Sequence, residues 1–213
     1  MTKIYKSSKV LPILITCFAI ATSAISIAHN SEATIVVTDH QQNAHLKNPK
    51  DELMLQAIRY NDLNTVKALI NSGMGINDNI EGDGTPLIIA VQRNKIALVK
   101  ALINLGADVN QATHIDGNAL INAAMKNNLE LAEILFEAGA NLDAVVVNDE
   151  TALITASRAG HFEMVTFLVE NGADINLEVQ VTKIDGTTEY RSPINGAKTT
   201  KILQYLQSEN AKT

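Results

Sequence analysis

The sequence predicts an all-α repeat solenoid of helix-turn-helix units joined by β-hairpin loops, with four repeats and a C-terminal cap. Three observations carry this. The segments ELMLQA, TPLIIA, NALINA and TALITA begin at residues 52, 85, 118 and 151, a constant step of 33 residues. A second marker keeps the same step: Leu69 to Gly73, Leu102 to Gly106, Leu135 to Gly139 and Leu168 to Gly172 each run from an apolar residue to a glycine. Hydrophobic residues make up 46% of the chain, aromatics only 4%, and Trp is absent. That composition suits a core of Leu, Ile, Val and Ala. A fixed period of this length marks a stacked array whose units share one core.

Residues 1–9, MTKIYKSSK, carry Lys3, Lys6 and Lys9 and no acid, and residues 10–28 carry no charge. Ser26-Ile27-Ala28 puts small residues at the positions a signal peptidase reads, and His29-Asn30-Ser31-Glu32 turns polar. This order is that of a secretory signal. Residues 1–28 are therefore assigned as a signal peptide cut after Ala28, and the remainder to the periplasm. Two alternatives stay open. One is an uncleaved anchor facing the periplasm, since a span needs about 20 apolar residues. The other is a lipoprotein signal at Leu14-Ile15-Thr16-Cys17. In all three readings the amino-terminal lysines stay inside. Cys17 is the only cysteine, so the chain after residue 28 has no thiol or disulfide chemistry. None of its asparagines lies in an Asn-x-Ser/Thr acceptor, in keeping with a bacterial source. Residues 29–48 read as a polar linker, with Thr34 to Thr38 as a short strand.

The repeats are placed at about 50–82, 83–115, 116–148 and 149–189, with the cap at 190–213. The second unit gives the local logic. Thr85 caps a short helix and Pro86 takes its first position. Leu87 and Ala90 face inward, and Asn94-Lys95 turns the chain. Ile96, Val99, Leu102 and Ile103 make the buried stripe of a second helix. Gly106 ends it in a left-handed conformation. Ala107-Asp108-Val109-Asn110 leads out, and a turn such as Gly82-Asp83-Gly84 starts the next unit.

TPLIIA with LINLGADVN, and residues 151–176, TALITASRAGHFEMVTFLVENGADIN, resemble the ankyrin repeat, and the resemblance spans about residues 50 to 210. Where the family's Thr-Pro-Leu-His has His, this chain has Ile88, Ile121 and Ile154, so an apolar contact must replace the usual Thr–His hydrogen bond. The first unit has Glu52-Leu53 in place of Thr-Pro, which fits a polar N-terminal cap. The stretches GDGTPL, IDGNAL and NDETAL also resemble ankyrin tails that follow bacterial membrane metallopeptidases of the antibiotic-sensor type.

The period breaks after the fourth unit. Ser192-Pro193-Ile194-Asn195-Gly196-Ala197 arrives eight residues late, and the extra length lies in residues 177–191. Asp185-Gly186 is a two-residue hairpin signal, and pairing across it sets Val181 opposite Tyr190. The hairpin is read either as a projecting finger or as a shield for the last repeat. Lys198 to Ser208 is expected to form a shortened helix pair burying Ile202, Leu203 and Leu206.

Chemistry is sparse. His29, His40 and His45 fall in the linker, His114 in a turn beside Asp116, and His161 where ankyrin repeats carry a structural His. His40 and His45 lack a second ligand pair, so no metal is expected. Asp83, Asp116 and Asp149 recur once per repeat as turn residues. No catalytic site, cofactor or phosphate loop is expected. The formal charge is −6. Removing residues 1–28 loses three lysines and no acid, leaving 14 basic and 23 acidic residues and a charge of −9. Such a chain is a poor binder of nucleic acid.

The resemblance implies protein binding through the concave face, made of hairpin tips and the exposed side of the first helices. The matching positions are Arg59 and Tyr60, Gln92 and Arg93, Met125 and Lys126, and Arg158 and Ala159. They offer one cation per unit, a stripe for an acidic partner surface. The same cations also suit the C-terminal ends of the helix dipoles. The tips are Asn79-Ile80-Glu81, Ala112-Thr113-His114 and Val145-Val146-Val147. Val146 is taken as an apolar contact, with one or two of these valines facing out, and Tyr190 as the contact on the long hairpin. The expected function is a monomeric, non-catalytic protein-binding module of the bacterial periplasm. A membrane enters only if the N-terminal segment stays uncleaved. A secreted effector, or an immunity or inhibitor protein blocking an enzyme or toxin, is the alternative.

Overall fold

The computed structural model describes residues 48–80, 82–113, 116–146, 150–183 and 186–210. They lie in one compact unit, His45–Thr213. The signal peptide, nearly all of the linker, His40, His45, His114, Glu81, Val147, Asp149 and Asp185 lie outside the described residues.

Four helix pairs follow one another: α1 (Pro49–Tyr60) with α2 (Leu63–Asn71), α3 (Pro86–Gln92) with α4 (Ile96–Asn104), α5 (Ala119–Met125) with α6 (Leu129–Glu137), and α7 (Ala152–Ala159) with α8 (Phe162–Glu170). The first helices pack side by side in the order α1, α3, α5, α7. Between the second and third pairs, β1 (Ala112–Thr113) and β2 (Gly117–Asn118) form a short hairpin, with Ala112 opposite Asn118 and Thr113 opposite Gly117. A longer hairpin, β3 (Val179–Thr182) and β4 (Thr188–Arg191), follows the fourth pair, and α9 (Thr200–Asn210) closes the array. The all-α repeat solenoid is the observed architecture.

The first helices start where a side chain can satisfy an orphan amide, whereas α4 and α8, entered through Lys95 and His161, have no side-chain cap. Thr85 Oγ1 accepts from Ile88 N at 3.3 Å, Asn118 Oδ1 from Ile121 N at 2.8 Å, and Thr151 Oγ1 from Ile154 N at 3.2 Å. The second helices end on glycine. Gly106 takes φ +92° while Ala107 N–H reaches back to Leu102 O at 3.0 Å. A side chain there would be strained, which is why the glycine recurs at 73, 139 and 172.

One continuous core runs through all four pairs and into α9. In α4 its centre is Leu98, Val99 and Leu102; Ile96 and Ile103, expected inside, are only half-buried at its edge. In α3 every residue from Pro86 to Val91 is buried, because helices lie on both sides of it. The isoleucines that replace the family's histidine are buried as well, and Ile154 packs with Val179 and Val181 of β3.

A ladder of side chains ties the units together on the 33-residue step. Asn77 Oδ1 accepts from Asp108 N at 2.9 Å, Asn110 Oδ1 from Asn141 N at 2.7 Å, and Asp143 Oδ1 from Asp174 N at 2.9 Å. Asn110 also donates from Nδ2 to Gly139 O at 3.0 Å. At the last rung Asn176 Nδ2 donates to Asn210 Oδ1 of α9 at 2.8 Å.

The C-terminal region corrects three expectations. Val181 stands opposite Glu189, and Tyr190 opposite Gln180. The strands end at Thr182 and restart at Thr188, so residues 183–187 lie between them in place of a two-residue turn. Gly186 N–H donates to Lys183 O at 2.9 Å, Lys183 N–H donates to Thr187 O at 2.8 Å, and Gly186 has φ +81°. The pairing is thus shifted by one residue from the register that a two-residue turn at Asp185-Gly186 would set. The cap contains a single α-helix, because Ser192 to Gly196 makes only one turn, closed by Gly196 N–H to Ser192 O at 2.9 Å. Leu203 is half-buried; Ile202 and Leu206 fill the core and Tyr205 packs at its edge.

Candidate functional site

The first helices all stop at the same place in the repeat, and their ends form a strip. Positions 59, 92, 125 and 158 hold Arg, Gln, Met and Arg; positions 60, 93, 126 and 159 hold Tyr, Arg, Lys and Ala. The turns that follow are in contact from unit to unit. Asn128 Nδ2 donates to Asn94 Oδ1 at 2.7 Å, and His161 Nε2 donates to Met125 O at 3.1 Å. His161 is thus a structural bridge between the third and fourth units.

Arg59, Arg93 and Lys126 are exposed, and none of them pairs with an acid among the described residues. Tyr60 is 75% and Met125 53% exposed beside them. Gln92 is half-buried, with Nε2 donating to Asp116 Oδ1 at 3.4 Å. Tyr190, 62% exposed, stands on the face of the long hairpin turned away from Val179 and Val181. Val146 does not belong here. It is only 7% exposed and joins the core, while its neighbour Val145 faces out. Successive residues of an extended segment point to opposite sides, so only one of the pair reaches solvent.

Arg158 differs from the other three cations. Its Nη1 pairs with Oε1 of Glu150, and Arg191 of β4 places its own Nη1 on the same oxygen at 2.5 Å. Glu150 is 5% exposed. Arg191 Nε also donates to Glu189 Oε1 at 2.6 Å, and Glu189 Oε2 pairs with Lys183 at 2.7 Å. The Lys183 ammonium, then Arg191, holds the Glu189 carboxyl below its ordinary value. Sequence reasoning missed Glu150, Asn122 and Arg191. The signal for Glu150 was present: it stands where Gly84 and Gly117 stand in the two preceding units.

This cluster forms one wall of a cavity of about 420 Å³ between α5 and α7. Ile121 and Met125 line it from α5, Thr155, Arg158 and Ala159 from α7, and Arg191 from the hairpin. Asp116 lies on the opposite side, on a loop held by Asn122 Nδ2, which donates to Asp116 O at 2.6 Å. Among the described residues no group of three or more His, Cys, Asp or Glu converges as a metal site, and no helix is long and apolar enough to cross a membrane.

No curated relative matches the chain. A family model described as ankyrin repeats (3 copies) matches residues 24–113 and 112–179. Its first match begins inside the stretch read from sequence as signal and linker. With this match laid over a fixed 33-residue period and four stacked helix pairs, the chain belongs to the ankyrin-repeat family.

Proposed function

We propose that the chain is a non-catalytic protein-binding module of the bacterial periplasm that holds an acidic partner on the strip at the ends of its first helices. Ankyrin repeats are generally protein–protein interaction modules. One observation carries the reading: three exposed cations without acid partners among the described residues, flanked by Tyr60 and Met125, on a chain whose formal charge is −6. Cations without an internal acid partner need break no existing ion pair on binding, and an exposed aromatic beside them supplies apolar contact. The compartment rests on the basic, apolar, small-residue order of residues 1–28.

The test is in-cell cross-linking of the full-length chain, with mass spectrometry of captured proteins and of the chain's own N-terminus. A captured envelope protein together with a chain starting at His29 supports the reading. The double variant Arg93→Glu, Lys126→Glu is expected to lose that partner and to keep its melting temperature. Equal capture by the double variant would sink the cationic strip. A chain starting at Met1 in the membrane fraction would replace the soluble module by an anchored one.

A further inference from the structure

We infer that the cavity between the third and fourth units is a carboxylate-binding site, taking an acidic group on an apolar stem from the protein partner. Arg158 and Arg191 recognise the anion, and Glu150 positions them. This rests on the partner-binding reading above and names the chemistry of one anchor within it.

Two guanidiniums on one oxygen are more than a structural tie needs. A single arginine would neutralise Glu150; the second leaves the wall with excess positive charge. Glu189 does not cancel it, because Lys183 also pairs with that carboxylate. Along the hairpin wall Lys183, Arg158 and Arg191 thus face only Glu150 and Glu189. A guanidinium has five N–H donors in a rigid fork. Arg158 directs one nitrogen, Nη1, at Glu150; Arg191 commits Nη1 and Nε. The remaining edges have no acceptor among the described residues. Glu150, itself buried, holds both forks in place before any ligand arrives, which lowers the ordering cost of binding.

Asp116 on the opposite side carries a charge that balances the second guanidinium across the cavity, so recognition rests on the uncommitted N–H donors, with which Asp116 makes no hydrogen bond. Asp116 is turned toward the second unit: Oδ1 accepts from Gln92, and Oδ2 accepts from Thr113 Oγ1 at 3.2 Å. Between the walls, Ile121, Met125 and Ala159 supply apolar surface and Thr155 a hydroxyl. The mouth lies on the strip, since Met125 and Arg158 are both exposed. About 420 Å³ is within the range of pockets that hold small groups. Paired guanidiniums beside apolar walls fit a carboxylate on a short hydrocarbon stem. A glutamate side chain and a chain's C-terminal carboxylate both meet that description.

The experiment is a nuclear magnetic resonance titration of the full chain carrying labelled methionine methyls and arginine side-chain nitrogens. Three peptides are compared: acetyl-Ala-Leu-Glu-Leu-Ala-amide, acetyl-Ala-Leu-Ala-Leu-Ala with a free C-terminus, and the same neutral peptide as its amide. One or both carboxylate peptides should move the Met125 methyl and the Arg158 and Arg191 signals saturably, and the neutral amide should not. Movement by the first alone assigns a side chain; movement by the second alone assigns a chain end. Arg158→Gln should weaken binding roughly tenfold, and Arg158→Lys, which keeps the charge without the fork, should weaken it less. Equal response to the neutral amide, no response to any peptide at millimolar concentration, or undiminished binding by both Arg158 variants overturns the site. If cross-linking captures a partner while no carboxylate binds, the cavity alone is refuted. If carboxylates bind while nothing is captured, the partner reading fails instead.

Discussion

Glu150 occupies the position that glycine holds in the two units before it, and that exchange decides how the array meets its last hairpin. Gly84 and Gly117 take φ +95° and +66°, a region glycine enters freely. Glu150 brings a side chain to this position, and its carboxylate meets Arg158 and Arg191. The hairpin is then fastened by Val179 and Val181 against Ile154 and by the Lys183–Glu189–Arg191 pairs. The lowered Glu189 carboxyl gives this fastening a pH signature. A depressed carboxylate stabilises the fold fully above its ordinary value of 4.5 and stops doing so as pH falls through its folded value below that. Amide exchange at Val181 and Tyr190, corrected for intrinsic rates, should therefore show less protection near pH 3.5 than at neutral pH. Glu189→Gln should flatten that difference, and an unchanged difference would rule out this carboxylate as its origin. At this scale the sequence was a partial guide. The cations before each turn were legible because position in the repeat fixes their exposure. Val146 was not, because a run of three valines does not say which of them faces in. Arg191 was not, because its partner lies 41 residues away.

The inter-unit ladder joins one element to the next through side chains that a local reading sees only as polar exit residues. Asn77, Asn110 and Asp143 sit one per repeat, so their recurrence was visible; their acceptor role was not, because each donor lies in the following unit. Asn110 makes two such bonds, and Asn110→Ala should cost about 1–2 kcal/mol in a urea melt, given about 1 kcal/mol for a typical net hydrogen bond. Asn110→Asp keeps the acceptor and loses the donor to Gly139, so it should fall between the two. A loss below experimental error for Asn110→Ala would remove the ladder from the list of stabilising features. Helix starts were legible for the opposite reason. Thr85, Asn118 and Thr151 bond amides three residues on, within the reach of a sequence window. The single-helix cap was hidden because the repeat pattern was extended past the point where the hairpin insertion had ended it.

Across the whole molecule, each pair buries its faces against its neighbours, and only the end elements have one neighbour. α9 covers the fourth pair with Ile202 and Leu206, both fully buried, and Tyr205 meets the Phe162 ring edge-on at 5.6 Å. Deleting residues 200–213 removes two buried aliphatics worth about 3–6 kcal/mol together, a sizeable part of the roughly 5–15 kcal/mol that holds a typical domain. The truncated chain should melt in two steps, with α7 and α8 losing protection first and α1 to α6 following. One unaltered transition would show that α9 is not a required cap. Overall architecture was the most legible level, since the period states it directly. The ladder also bears on how such a chain changes over generations. Each of the three rungs between helix pairs offers an Asn or Asp oxygen on one side and a backbone amide on the other, so one such rung can stand in for the next. Removing or duplicating a whole 33-residue segment would rejoin Asn77 to an equivalent amide, whereas a cut of any other length would not. The molecule can therefore gain or lose reach only in whole repeats, and its length behaves as an inherited integer.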